Sequence, residues 1–326
     1  MLSNYIKLNI VKTKELTLLN NLAGNVGLMA IDVGARGSVK KDLEYLKSSI
    51  DWLCLEPDKD APLNTKGTEW KSVDHIPFAA AMKEEIFKLN LNRQRGCSSK
   101  YEADLNIAAR YSREEYYHLD KHVYVKARPL DRIVKENTKQ KPAFLKIDVQ
   151  GMELECFQGS KNLLENMLVG IRTEVSFFKV YKGQPLLSEI EQYLRPFGFQ
   201  PMQWIEFHEW RRSTRDKLPN LGPYPMPYSK GQMAHGDLLY LLQPEELPSN
   251  TEDQIKRLIR LGLVAVCYDL LDHAQVAFSR PVVRDYCRDV IQRDPVDIIN
   301  KISQKMAFRY KGLFKIFYKI SAWLKQ

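Results

Sequence analysis

The stretch Ile147-Asp-Val-Gln-Gly-Met-Glu153 and its earlier relative Ile31-Asp-Val-Gly-Ala-Arg-Gly37 decide the fold of this chain. Each is a short apolar run that ends in an aspartate, reaches a glycine and leads into a helical pattern. Parallel strands deliver polar groups to one edge of a sheet in this way. The pair therefore predicts that Asp32 and Asp148 lie at the same active-site edge.

Strand-like and helical patterns alternate on both sides of these two stretches. Short apolar runs typical of buried strands begin at Leu28, Trp52, Val73, Phe144 and Val169. Apolar residues at helical spacing follow several of these runs, and two further strands are predicted at 199–207 and 237–242. Repeated alternation of this kind predicts an α/β fold with a mostly parallel, doubly wound sheet.

Two longer segments have the composition of loops. Residues 101–117 are rich in tyrosine and charge with only weak patterning, and residues 211–236 are rich in Pro, Gly and Tyr. We expect the first segment to be a flexible lid and the second to cover or select a substrate.

Charge and cysteine usage narrow the class of protein. Lys and Arg total 49 against 40 Asp and Glu, a net charge of +9, so anionic lipid, a polyanionic glycan or nucleic acid would be a suitable partner. We do not expect nucleic acid, because no helix-turn-helix, zinc-finger or RNP-like pattern is present. The five cysteines are scattered without C-x-x-C spacing, which favours a reducing cytoplasm. No signal-peptide core or bilayer-spanning run is found, so we expect a cytoplasmic protein.

The turn after Asp32 has the composition of a cofactor loop. Its glycines would let main-chain N–H groups and a carboxylate face a ligand. The third glycine of G-x-G-x-x-G is missing, which disfavours a dinucleotide, whereas S-adenosylmethionine has no phosphates to cradle. Glu56 ends the next strand, where a carboxylate can accept hydrogen bonds from both ribose hydroxyls. We predict cofactor contacts from Asp32, Gly34, Ala35, Gly37, Glu56 and Pro57. The alternative is that Asp32 caps a helix and Glu56 merely ends a strand.

Several ordered motifs over residues 30–242 resemble the FkbM family of S-adenosylmethionine-dependent methyltransferases. They are Lys146-Ile-Asp-Val-Gln-Gly-Met-Glu153, Phe157-Gln-Gly-Ser160, Glu174-Val-Ser-Phe177 and Tyr181-Lys-Gly-Gln-Pro-Leu186. Pro129-Leu-Asp131 resembles the family's Thr-Leu-Asp element, and Gly96-Cys-Ser-Ser99 resembles its small-residue loop. The chain departs from the family at Arg36, commonly Asn, and at Ser38, often Gly.

The resemblance implies a class I methyltransferase fold with a seven-stranded, Rossmann-like sheet, followed here by a helical C-terminal extension. It implies O-methylation of a hydroxyl on a glycan, a glycolipid or a small metabolite. It also adds Ser98, Ser99 and Asp131 to the expected cofactor contacts.

Four residues are candidates for the acceptor side. A hydroxyl becomes a nucleophile when its proton is accepted or its oxygen is held on a metal. Asp148 or Glu153 could accept the proton, or both could hold a divalent cation together with Glu174. Glu153 could instead be favoured only by the dipole of the helix that it begins. His235 could be a substrate-side base or a solvated loop histidine, and the spacing of the six histidines predicts no zinc site.

The end of the chain combines lysines with apolar and aromatic residues. In 295–326 the two sets fall largely on opposite faces of a helix, as in a segment lying on an anionic membrane surface. The same stripe could pack on the protein. We predict four parts: a helical lead-in (1–27), a catalytic domain (28–243), a helical extension (244–294) and this tail. A peripheral location on the inner membrane face would follow from lipid binding.

Two other functions remain open. One is a nicotinamide-dependent oxidoreductase of the same fold class, which the incomplete glycine pattern disfavours. The other is a membrane-recruited binding protein that has lost catalysis.

Overall fold

The computed structural model describes residues 14–37, 42–58, 69–217 and 229–308. The strands are β1 (Met29–Val33), β2 (Asp51–Leu55), β3 (Ser72–Ile76), β4 (Ala79–Ala80), β5 (Glu85–Asn92), β6 (Leu119–Arg128), β7 (Pro142–Ile147), β8 (Gly170–Ser176), β9 (Phe199–Trp210) and β10 (Gln232–Leu242). The helices are α1 (Lys14–Val26), α2 (Leu105–Ala109), α3 (Glu114–Tyr117), α4 (Leu130–Asn137), α5 (Glu153–Gln158), α6 (Lys161–Asn166), α7 (Leu187–Leu194), α8 (Glu252–Cys267), α9 (Leu271–Ser279), α10 (Pro281–Ile291) and α11 (295–308).

The main sheet confirms the predicted fold class. Its seven strands run in the order β3-β2-β1-β7-β8-β10-β9. The pairs from β3 to β8 are parallel, and β10 is antiparallel to both β8 and β9. The carboxyl ends of β1, β2, β7 and β8 therefore meet at one edge, as expected for a doubly wound sheet.

A second, three-stranded sheet is formed by the chain between β3 and β7. β6 is its central strand, with β4 parallel to it on one side and β5 antiparallel on the other. Phe87 from β5 and Val125 and Ala127 from β6 are buried with Met152, which follows β7 in the main sheet. These apolar contacts hold the small sheet beside the carboxyl edge of the main sheet.

The centre of the main sheet is buried on both faces. Every residue of β1, β2 and β7 is buried, which fits strands covered by helices on either side. Lys146 is the exception to the apolar pattern of β7, and its side chain is only 2% exposed. A lysine so deeply buried requires a charged partner.

The chain divides into two compact units. One contains residues 28–41 and 50–243, and the other contains 1–27, 42–49 and 244–326. We retain the predicted boundaries 1–27, 28–243, 244–294 and 295–326 as a proposal. Within the described ranges, no helix is both long enough and apolar enough to cross a membrane.

The first part of the predicted tail forms α11, and one side of this helix is buried. Ile298, Ile299 and Ile302 are each at most 3% exposed, and Lys305 Nζ lies 2.6 Å from the carboxylate of Glu15. The three isoleucines of this helix are thus covered by protein, whereas Phe308 at its end is 80% exposed. Residues 309–326, which carry the rest of the membrane prediction, lie outside the described residues.

Candidate active site

A cavity of about 280 Å³ opens at the carboxyl edge of the main sheet. Strand ends supply its polar wall, and β4 and β5 of the small sheet supply much of its apolar wall. Six of the predicted cofactor residues line it: Asp32, Gly34, Ala35, Glu56, Pro57 and Ser98. Asp148 lines it as well, so the two strand-ending aspartates share one cavity.

Glu56 places a nearly buried carboxylate in this cavity. Its side chain accepts a hydrogen bond from the backbone N–H of Asp58 at 2.8 Å, and Arg36 forms an ion pair with the Asp58 carboxylate. Burial raises the pKa of Glu56, while that hydrogen bond and the nearby Arg36 oppose the rise. A buried carboxylate with remaining acceptor capacity is suited to polar hydroxyl donors.

Lys146 lies between the two aspartates. Its Nζ is 3.1 Å from Asp32 Oδ1 and 3.8 Å from Asp148 Oδ2. Burial acts to lower the pKa of Lys146, but the two carboxylates outweigh it and the pKa is raised. Lys146 is therefore a cation, and much of the charge of Asp32 is already balanced within the protein. We did not predict this role, although a lysine inside the apolar run of β7 was a signal for it.

The loop after β1 is arranged differently from the expected ligand cradle. The N–H groups of Gly34 and Ala35 both donate to the carbonyl oxygen of Leu55, at 3.0 and 3.1 Å. These two N–H groups link β1 to β2 and are already engaged within the protein. Gly37, with φ of +98°, does not line the cavity.

Gln150 connects the cavity to Glu174, one of the residues predicted for the acceptor side. Its Nε2 donates to Asp148 Oδ1 at 2.9 Å and to Glu174 Oε2 at 2.8 Å. The hydroxyl of Tyr181 is 3.1 Å from Gln150 Oε1, which fixes the orientation of the amide. We predicted no role for Gln150 or Tyr181, because the contacts of Gln150 with Glu174 and Tyr181 join residues 24 and 31 positions apart in the sequence.

His235 continues this chain of polar contacts. Its Nδ1 lies 3.0 Å from Glu174 Oε1. Since an ionised carboxylate can only accept, we assign the imidazole proton to Nδ1, which leaves Nε2 as an acceptor. Burial, together with the positive charge of Arg113, lowers the pKa of His235. The ring of His208 stacks on it with centres 4.6 Å apart, so His235 is not a freely solvated loop histidine.

Glu153 faces the backbone and does not line the cavity. Its carboxylate accepts hydrogen bonds from the N–H groups of Val149 and Gly151 at 3.0 to 3.2 Å. Burial raises the pKa of Glu153 to about 8, and the nearby Glu174 adds to the rise. These contacts give Glu153 a positioning role at the turn between β7 and α5.

The predicted divalent cation receives no support from this arrangement. Among the described residues, no group of three or more His, Cys, Asp or Glu side chains could hold a metal ion. The oxygens of Glu153 bind backbone N–H groups, and those of Glu174 face Gln150 and His235. Asp148, Glu153 and Glu174 therefore do not point their carboxylate oxygens towards a common cation site.

Ser99 and Asp131 do not line the cavity, and each side chain has a backbone partner. Ser99 Oγ donates to the carbonyl oxygen of Gln150 at 2.6 Å. The carboxylate of Asp131 accepts from the N–H groups of Asn162 and Leu163 at 2.8 and 3.0 Å. It thereby caps the first turn of α6 from a different helix. The structure does not bring Asp131 to the predicted cofactor contacts.

The predicted lid is packed against the protein. Residues 101–117 form α2, α3 and their connections, and Tyr111 and Tyr117 are buried in a cluster with Tyr181 and Trp210. Tyr111 and Tyr117 therefore form part of a core, whereas Tyr116 is 48% exposed.

Comparisons with known proteins match this chain to a protein family and to distant solved structures. Residues 32–201, just over half of the chain, match the family described as "Methyltransferase FkbM domain". No curated protein matches significantly. One similar solved structure is the methyltransferase FkbM from Methylobacillus flagellatus KT, at 13% identity and a TM-score of 0.35. The alignment covers 66% of this chain and 44% of the solved protein, so this chain matches less than half of the length of the solved protein.

Proposed function

This chain belongs to the FkbM methyltransferase family, and on that premise we propose that it transfers a methyl group from S-adenosylmethionine to a hydroxyl. The acceptor would be a sugar-containing molecule or another small molecule. One observation carries the proposal: a single cavity is lined by both Glu56 and Asp148, and Asp148 is joined through Gln150 to the Glu174–His235 pair.

The residues of the cavity fit S-adenosylmethionine. Glu56 would accept hydrogen bonds from the ribose hydroxyls, and the apolar side chains of Phe87, Leu89 and Leu91 would cover the adenine. When bound, the cofactor supplies a methyl carbon on a positively charged sulfur. The N–H groups of Gly34 and Ala35 are engaged by Leu55, which disfavours a dinucleotide because its pyrophosphate needs such donors.

His235 would accept the proton of the acceptor hydroxyl. Its lowered pKa keeps the imidazole neutral near pH 7, and Glu174 holds the ring with Nε2 as the acceptor. Asp148 would orient the hydroxyl from the cavity side, and Gln150 would hold Asp148 and Glu174 at a fixed spacing. Glu153 would act indirectly, by fixing the turn that carries Gln150.

Calorimetry with S-adenosylmethionine tests the proposal. The Glu56→Gln variant keeps the size of the side chain but removes its charge, so we expect affinity to fall about 10- to 100-fold. Asp74→Asn, at an exposed residue of β3, is the matched control and should bind as the wild type does. Absence of binding by the wild type would refute the assignment, and a fluorescence titration with NADH would then test the oxidoreductase alternative. Cofactor binding without turnover on a broad acceptor panel would favour the non-catalytic alternative.

The membrane prediction now concerns residues 309–326. The lysines, aromatic residues and lack of acids in this sequence favour an anionic surface, and Phe308 directly before it is 80% exposed. We propose a cytoplasmic protein that binds the inner membrane face through this segment. Flotation with anionic liposomes should be lost on truncation after Phe308, and equal flotation of both forms would contradict it.

A further inference from the structure

Arg113 is a half-buried arginine whose guanidinium has no carboxylate partner among the residues that the structure describes. Its Cζ lies 4.6 Å from the ring centre of Trp210 and 5.9 Å from that of Tyr116. By contrast, Arg93 and Arg95 in the turn after β5 are both paired with acidic side chains. Arg113 instead presents a cation held by aromatic rings, with its N–H donors still available.

Trp210 places this cation beside the proposed base. The Trp210 ring is 3% exposed, and its centre is 5.8 Å from that of the His235 imidazole, with the two planes nearly perpendicular. Arg113 and His235 thus contact the same indole. The charge of Arg113 also acts on its surroundings, because it contributes to the lowered pKa of His235.

A second arginine lies on the same aromatic cluster. Arg212 Cζ is 5.0 Å from the ring centre of Tyr111, and that ring is 5.5 Å from Trp210. In the described part of the chain, Arg212 also lacks a carboxylate partner. Two guanidinium groups without a carboxylate partner among the described residues therefore border the acceptor side.

We propose that Arg113 binds an anionic group of the methyl acceptor, a carboxylate or a phosphate, next to His235, with Arg212 contributing at the rim. A planar guanidinium fixed on an indole can offer two parallel N–H donors to either anion. The acceptor would accordingly be an acidic or phosphorylated sugar and not a neutral one. The identity of this ligand as the acceptor rests on the proposed function, whereas the anion site itself does not.

Anion binding would also activate the base. A bound anion offsets the charge of Arg113, so the pKa of His235 rises and its Nε2 becomes a stronger proton acceptor when the acceptor is present. In the free protein His235 would be neutral and a weak base. Binding of the acceptor would raise its pKa and make it a stronger base.

The anion site can be tested without any methyl transfer. Nuclear magnetic resonance of selectively labelled histidines, with His235→Asn for assignment, would follow His235 during titration with inorganic phosphate. In the wild type we expect saturable binding that raises the pKa of His235. Arg113→Gln should lower the affinity for phosphate at least 10-fold, and it should raise the pKa of His235 even without phosphate. Arg113→Lys should bind phosphate with an intermediate affinity. Arg132→Gln removes the same charge from an exposed pair with Glu84 and should behave as the wild type.

A second measurement identifies the source of the anion. With S-adenosylhomocysteine present, calorimetry would compare glucuronate, glucose 6-phosphate and glucose. Tighter binding of glucuronate would indicate an acidic sugar, and tighter binding of the phosphate would indicate a phosphorylated one. Equal binding of glucose, or anion binding unchanged in Arg113→Gln, would overturn the proposal. Absence of S-adenosylmethionine binding would refute methyl transfer and leave the phosphate titration valid.

Discussion

The Cα of Gly34 lies directly against the backbone carbonyl of Asp148. A Cβ at position 34 would overlap the carbonyl oxygen of Asp148 and lie 3.0 Å from its carbonyl carbon. The φ of Gly34 is +82°, in the left-handed region that favours glycine. This close approach lets the ends of β1 and β7 line one cavity.

Gly34→Ala should therefore separate the two strand ends. We expect a loss on the order of 3 kcal/mol in the free energy of unfolding, since left-handed strain and steric overlap add. Gly37→Ala is the control, because Gly37 has φ of +98° but no atom of the described residues lies within 4 Å of its added Cβ. It should lose only the strain, about 1–2 kcal/mol. Urea denaturation measures both, and equal losses would contradict the role of the close approach.

Lys146→Met should expose the cost of leaving Asp32 buried without its partner. Breaking a buried ion pair from one side typically costs about 3–5 kcal/mol. Adding Asp32→Asn should restore part of the lost stability. Lys71→Met removes a lysine that is 47% exposed and paired with Asp51, and it should cost less than about 1 kcal/mol. Urea unfolding of the wild type, the two single lysine variants and the double variant measures these free energies. Equal losses of stability in Lys146→Met and Lys71→Met would contradict the buried ion pair.

The pH profile of methyl transfer tests His235. The base must be neutral, and the pKa of His235 in the free protein lies below the ordinary value of 6.5, so the midpoint of the acid limb of kcat/KM should lie below pH 6.5. His235→Gln should lower kcat by about 100-fold or more and abolish this limb. Glu174→Gln should also lower kcat, because the carboxylate no longer fixes the tautomer. A limb that persists in His235→Gln would assign the base to another group.

Glu153 should make stability depend on pH in an unusual direction. Its pKa of about 8 lies above that of an unfolded glutamate, so its contribution is complete below pH 4.5 and is lost as pH rises through 8. Glu153→Gln cannot titrate, and its amide oxygen can still accept backbone hydrogen bonds. The stability of the variant relative to wild type should rise by about 1.4 kcal/mol per pH unit at most across this window. Parallel stability profiles would contradict the buried, raised pKa.

The parallel part of the sheet was predictable because its strands are buried on both faces. Leu28, Trp52, Phe144 and Val169 begin apolar runs that need no knowledge of distant residues. The break between α5 and α6 was not predicted, since 153–166 has a continuous helical pattern. It occurs at Gly159, where a Cβ would overlap the carbonyl oxygen of Ala81 from a distant segment.

The candidate site was predictable only where residue type and strand position suffice. Asp32, Glu56 and Asp148 end their strands, and parallel topology brings all three to one cavity. Asp131 lies in the first turn of α4, but its carboxylate caps α6, about 30 residues further along the chain. Such long-range pairings follow from packing and leave no local pattern.

Lys146 gives both strand ends a common counter-ion, which has a thermodynamic consequence. A charged ligand that draws Lys146 towards or away from Asp32 changes the electrostatic potential at Asp148. Coupling between two binding sites is reciprocal, so donor and acceptor would alter each other's affinity by the same factor. Cooperativity between the two substrates would then originate in one buried ammonium group.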